Sequence, residues 1–189
     1  QSGGGPLIDL GVHLIDLAMY LMGNPKPVTV SGSTYSKFAH PSYSKTDVED
    51  LAMGFIRFDN GSCLHVETSY NMNLQDEANN VEIYGTKGTL YVPDPNIFGG
   101  KIEFYDGEKK ELIEYPLEFG YAENSRCLGL DDLAKALETG RPGRTTSLQT
   151  FHVLEAMAGI MESAKTGAPY IMTSHFEREA PMDPSLPNG

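Results

Sequence analysis

The sequence predicts an α+β fold, a largely antiparallel open sheet with helices packed on one face, and three observations predict it. A helix-type segment opens the chain, seven β-type runs joined by turn signals fill its middle, and two helix-type segments follow near its end. Strands grouped together and helices grouped at the ends give this layout, whereas a parallel sheet would need strict strand–helix alternation.

The opening run carries Gly3-Gly4-Gly5, then Pro6, then apolar residues out to Met22. Proline suits the first helical position, where its missing N–H costs nothing, so a helix is predicted over 6–22. Gly23 is its expected left-handed stop, with Pro25 and Pro27 beyond. Residues 27–38 read as a strand in which Val28 and Val30 alternate with Thr29 and Ser31, and 39–50 as a polar loop. Residues 51–58 and 62–70 are two β runs joined through Asp59-Asn60-Gly61, a strong hairpin signal. After a loop over 71–80, the runs 81–84 and 89–92 flank Gly85-Thr86-Lys87-Gly88, and 101–105 and 111–115 flank Asp106-Gly107. Asn124 or Ser125 is placed to cap a helix that turns Leu130, Leu133, Ala134 and Leu137 inward and ends at Gly140. Thr146 and Gln149 form a capping box for the last helix, expected to bury Leu148, Phe151, Leu154, Ala158 and Met161 and to stop at Gly167. Residues 170–172 suit a short final strand. One domain over 1–172 with an extended tail over 173–189, rich in proline, is the expected organisation.

Composition narrows the function. The chain has 189 residues, 40% of them hydrophobic, enough for a sizeable core. Fourteen basic against 26 acidic residues give a net charge of −12 with no basic run, which disfavours nucleic acid and anionic membrane surfaces. No apolar run approaches the roughly 18 residues of a membrane span, and no signal peptide is visible. Two cysteines, Cys63 and Cys127, make no disulfide framework, so a reducing, cytoplasmic setting is expected.

The chemistry gathers on the first helix. At 100° per residue, Asp9, His13, Asp16 and Tyr20 fall within roughly 60° and form one polar seam. Leu10, Leu14, Leu17 and Leu21 flank it on one side, and Ile8, Val12, Ile15, Met19 and Met22 on the other. A helix apolar on nearly all sides with one acid/imidazole seam is expected to be buried except along a cleft. A carboxylate one turn from an imidazole can orient it and stabilise its protonated form, and such a histidine can exchange a proton with a hydroxyl. The same pair also fits a purely structural role, an acid in the first helical turn beside a core histidine.

The run G-G-G-x-L-x-D-x-G-x-H-x-x-D followed by Y-L-x-G resembles the signature that opens the C-terminal domain of the Gfo/Idh/MocA oxidoreductases, a family that includes glucose–fructose oxidoreductase and inositol dehydrogenases. The segments V-E-D-L-A (48–52), F-D-N-G (58–61), V-E-I-Y-G-T-K-G-T-L (81–90) and E-S-A-K-T-G (162–167) agree with it. The resemblance implies that Asp9 and His13 line a substrate site, His13 as acid/base beside a nicotinamide. It also implies NAD or NADP as cofactor, a sugar or cyclitol as substrate, and a homodimer or homotetramer formed through the sheet face. The departure is large: neither G-x-G-x-x-G nor Glu-Lys-Pro occurs here, so the family's N-terminal Rossmann domain is expected to be missing and no cofactor to be bound by this chain alone. The implied parent oxidises a secondary alcohol or reduces the ketone. The alternatives are glycoside hydrolysis through transient NAD-linked oxidation, and a non-catalytic dinucleotide-dependent sensor or corepressor.

Further candidates for a hydroxylated ligand are Gly4, Gly5, Asp16, Tyr121, Asn124 and Arg126, the last three around the start of the penultimate helix. Tyr43, Tyr70 and Asn71 lie near loops and remain open between a surface role and a site role. Cys63, His65 and Glu67 alternate along one strand, but no fourth ligand is evident and no metal is assigned. His152 and Glu155 read as a local polar pair on the last helix.

Overall fold

A computed structural model describes residues 4–37, 48–71, 81–95, 97–118, 123 and 125–182. The chain divides into two units, one of residues 1–75 and 147–177, the other of residues 76–146 and 178–189.

The first unit opens with a π-helical turn, Leu7–Gly11, that runs directly into α1, Val12–Leu21. Strands β1 (Pro27–Tyr35), β2 (Leu51–Phe58) and β3 (Cys63–Ser69) follow, then the long helix α3 (Ser147–Thr166) and the two-residue β8 (Tyr170–Ile171). The second unit holds β4 (Val81–Gly85), β5 (Gly88–Val92), β6 (Ile102–Asp106), β7 (Glu111–Tyr115) and α2 (Leu128–Thr139). Every strand pair is antiparallel. The expected α+β class holds, with the strands divided into two four-stranded sheets ordered β3-β2-β1-β8 and β4-β5-β6-β7. Helix stops fall where the glycines predict them, Gly23, Gly140 and Gly167 having φ of +81°, +70° and +71°.

The core of the first unit lies between its sheet and the helices. Alternation puts Ala52, Ile56 and Phe58 of β2, Val66 of β3 and Val30 of β1 on the inner face, against Leu7, Ile15 and Met19 from the opening segment and Val153, Ala156, Met157 and Ile160 from α3. Leu7, Ile15 and Ile160 are completely buried, each contributing about 2 kcal/mol of transfer free energy, so these side chains set where the helices sit. Gly32 and Gly54 are register partners in β1 and β2. A Cβ on Gly32 would lie 2.6 Å from Ile160 Cγ2, and one on Gly54 would collide with Ile160 Cδ1. The paired glycines therefore form a notch that receives Ile160. β8 pairs with Thr29 and Val30 of β1, and further along β1 the Gly32 N–H donates to Ser163 Oγ at 3.1 Å.

Three helical expectations are corrected. The first helix buries Ile15, Ala18 and Met19 but leaves Leu10 and Leu21 exposed, so it is apolar-covered on one flank rather than nearly all round. Helix α3 exposes Leu148, Phe151, Leu154 and Ala158 and half-buries Met161. Its inward face instead carries Gln149, His152, Glu155 and Ser163 between the apolar core residues, and each of these polar groups has a fixed partner in the unit. Helix α2 exposes Leu130, Leu133, Ala134 and Leu137 and buries Ala136 and Asp132. Asp132 is held by Arg141 Nη2 at 2.6 Å and by the Arg144 guanidinium, and a paired carboxylate can take a position that unpaired leucines were expected to fill. The residue before α2 is Cys127, which makes no side-chain cap, while the Ser125 hydroxyl donates to the Glu123 carbonyl. Asn124, the alternative cap, lies outside the described residues.

Candidate active site

The first unit assembles the site from the opening helix and from the end of the β2–β3 hairpin. The Gly5 carbonyl accepts from the N–H groups of both Ile8 and Asp9 at 3.1 Å, just ahead of and within the opening helical turn. The free N–H of Leu7 donates to Glu49 Oε1 at 3.1 Å. Gly5 permits this approach, since a Cβ there would sit directly against the Glu49 carboxylate. Gly4 is packed as tightly, its absent Cβ facing Ile8. An acid at a helix start also meets the positive end of the helix dipole.

The seam residues emerge from this anchored start. Asp9, His13 and Tyr20 are exposed and Asp16 is half-buried. Across Gly11 the helix changes from π to α bonding, so the α-helical azimuths of the sequence do not carry over between Asp9 and His13. Asp9 accepts a hydrogen bond from the Tyr70 hydroxyl at 2.7 Å through Oδ2. Among the described residues no hydrogen bond joins Asp9 to His13, and the imidazole is left facing solvent. Asp16 accepts from Gln149 Nε2 at 2.8 Å, which ties α1 to α3. An exposed imidazole and an oriented carboxylate on the same helix can accept from, and exchange a proton with, a ligand hydroxyl.

Glu49 and Gln149 have no assigned part in the site from sequence, and Tyr70 is left open there between a surface role and a site role. Glu49 was visible within V-E-D-L-A and Tyr70 as the last aromatic residue of a β run, but pairing across more than 40 residues has no local signature. Gln149, expected in a capping box with Thr146, sends its amide to Asp16. Arg126 belongs to the second unit, where its guanidinium lies 5.7 Å from the Phe98 ring centroid. Tyr121 and Asn124 lie outside the described residues, as does Tyr43. Cys63, His65 and Glu67 share the outer face of β3, and among the described residues no three metal-ligating side chains converge.

A second buried polar group lies on the inward face of α3. Glu155 Oε1 accepts from the Tyr170 hydroxyl at 3.1 Å and from the Thr173 N–H and hydroxyl at 2.8 and 2.6 Å, and Oε2 accepts from the Ser174 N–H at 2.8 Å. Burial by itself pushes the Glu155 carboxyl up, but hydrogen bonds from Ser174 and Thr173 together outweigh it and bring it to about 2. His152 Nδ1 lies 2.6 Å from Ser174 Oγ, and its imidazole is pushed below its usual value, chiefly by burial. These contacts hold residues 173–174 against α3.

A pyrophosphate needs free N–H groups at a glycine-rich helix start, and here the carboxylate of Glu49 fills that space with negative charge. Both sheets are antiparallel, without the parallel βαβ unit on which such a turn is usually built.

Fold and candidate site together give an α+β domain in which a glycine-led helix carrying Asp9, His13 and Asp16 packs against an antiparallel sheet. Residues 1–91 match the family model described as the GFO/IDH/MocA C-terminal domain. It is 28% identical over 177 residues to the D-glucoside 3-dehydrogenase of Escherichia coli strain K12, covering 88% of this chain and 48% of that protein. It is 25% identical to the scyllo-inositol 2-dehydrogenase (NAD(+)) of Bacillus subtilis strain 168, covering 89% of this chain and 48% of that protein. Among solved structures, the aldose-aldose oxidoreductase from Caulobacter crescentus complexed with glycerol shares the fold with a TM-score of 0.70 at 21% identity, covering 89% of this chain and 48% of that one. The chain thus spans about half the length of the relatives it matches.

Proposed function

We propose that this chain is the substrate-binding half of an NAD(P)-dependent oxidoreductase that oxidises a secondary alcohol of a sugar or cyclitol, or reduces the corresponding ketone. The observation that carries the reading is the exposed His13 on the same helix as Asp9, whose carboxylate is fixed by Tyr70. Relatives named for a glucoside and for an inositol support a polyhydroxylated ring as substrate.

The nicotinamide supplies the hydride acceptor when bound, and this chain's own part is the proton. A substrate hydroxyl donates to the His13 imidazole, whose nitrogen takes the proton as the carbon–oxygen bond gains double-bond character. Asp9, accepting from a neighbouring hydroxyl, orients the ring. In the reduction direction His13 returns the proton to the carbonyl oxygen. The cofactor belongs to a Rossmann domain elsewhere in the parent protein, and the chain alone turns over no substrate.

His13→Ala in the whole enzyme tests the assignment. A general acid/base contributes about 10²- to 10⁴-fold, so kcat should fall by that range while the thermal midpoint stays unchanged. Turnover near that of the unaltered enzyme would overturn it. A fluorescence titration of NADH and NADPH against this chain tests the division of labour, and micromolar binding would refute it.

A further inference from the structure

We propose that Tyr70 is a positioning residue for Asp9, a role that rests on the alcohol-oxidising reading above. Tyr70 follows directly on the last residue of β3, and Ser69 pairs with Leu51 at the first residue of β2. The same end of this hairpin therefore reaches the opening helix twice. Glu49, two residues before β2, takes the Leu7 N–H, and Tyr70 takes the Asp9 carboxylate.

Both contacts are built rather than incidental. The chain at Tyr70 is held by the Asn71 N–H, which donates to Ser69 Oγ at 3.0 Å. One step inward, Thr68 is buried, and its Cγ2 lies 3.4 Å from where a Cβ on Gly11 would stand, so β3 and the π-helical turn meet at close range. The hydroxyl of Tyr70 is thereby delivered to Asp9 Oδ2 at 2.7 Å, although half of the tyrosine surface is open to solvent.

The chemical consequence is a division between the two carboxylate oxygens. Oδ2 is occupied by the phenol, which removes the freedom of the carboxylate to rotate. Oδ1 accepts nothing among the described residues and is left for a substrate hydroxyl. Without the phenol the carboxylate samples several rotamers, and the substrate oxygen is no longer held where His13 can take its proton. A loss of this kind falls on turnover more than on affinity.

A double-mutant cycle in the intact enzyme tests this, using Tyr70→Phe and Asp9→Asn with NAD(+) or NADP(+) and a panel of glucosides and inositols. Tyr70→Phe keeps the ring and should lower kcat about tenfold, the size expected for one hydrogen bond of ordinary strength, with KM changed much less. On the Asp9→Asn background the same substitution should change kcat by less than about twofold, because the group it positions is already altered. Equal losses on both backgrounds, or no loss on the first, would overturn the proposal. The contact itself is read separately, by carbon-13 NMR of the Tyr70 phenol in this chain. Asp9→Asn should move the chemical shift of its Cζ at neutral pH, and an unmoved resonance overturns the contact. If the unaltered enzyme oxidises no member of the panel, the functional reading falls, and the positioning role with it, while the phenol resonance still reports whether the contact exists.

Discussion

At the scale of single residues, the site depends on what stands next to its glycines. Gly5 matters for the space it leaves, because the Glu49 carboxylate fills the place of its side chain and takes the Leu7 N–H. Gly5→Ala should therefore push Glu49 aside, free the Leu7 N–H and loosen the turn that carries Asp9. Loss of one such cap costs about 1 kcal/mol, and the measurement is the urea midpoint of Gly5→Ala beside that of Glu49→Ala. The double variant should be no worse than the more damaging single one, and full additivity would show that the two residues do not act through one contact. Sequence reading placed Asp9 and His13 on one helix, and the structure keeps them there. The partner of Asp9 lies 61 residues away, beyond any periodicity a sequence displays.

At the scale of elements, α3 illustrates how the apolar count misleads. Its leucines and Phe151 suggested the inward face, yet the helix seats Ile160 in the Gly32/Gly54 notch and turns its polar residues in. Each polar group is tolerated because a partner meets it, and Glu155 has four donors. Gly54→Ala should force Ile160 out of the notch and destabilise the unit by about 1–3 kcal/mol, measured by chemical denaturation. A loss below a few tenths of that scale would mean that the notch does not set the helix.

Glu155 gives the same unit an acid-sensitive latch. Its carboxyl is depressed from the ordinary 4.5 to about 2, so the unfolded chain binds the proton first. The stabilisation is complete above about pH 4.5 and is lost as pH falls towards 2, on the order of 3 kcal/mol in all. His152, depressed by burial, adds a loss in the same direction that begins as pH falls below 6.5. Unfolding free energies for Glu155→Gln at pH 7, 4.5 and 3 should start lower and show a flatter acid limb. An acid limb as steep as that of the unaltered chain would refute the latch.

At the scale of the whole molecule, the outer face of the first sheet carries Leu51, Met53 and Phe55 along β2, with Tyr35 on β1 and Ile171 on β8. Phe55 and Ile171 are 41% and 62% exposed. Such an apolar face supports pairing with a second copy of the chain. Light scattering at tens of micromolar should give at least a dimeric mass, and Phe55→Lys should lower it. A monomer throughout would overturn the expected homodimer or homotetramer. The net charge of −12 directs attention to small neutral ligands and to protein surfaces rather than to nucleic acid.

What the sequence by itself determined was local. Helix stops at glycines, the Asp59-Asn60-Gly61 hairpin and the alternation of β2 all follow from short-range sterics and periodicity. Tertiary structure decided which helix faces turn inward, how the strands divide between two sheets, and which distant side chains grip Asp9, Asp16 and Glu155. Those outcomes depend on close approach and on pairing of buried polar groups, and both are properties of residues brought together by the fold rather than of their order along the chain.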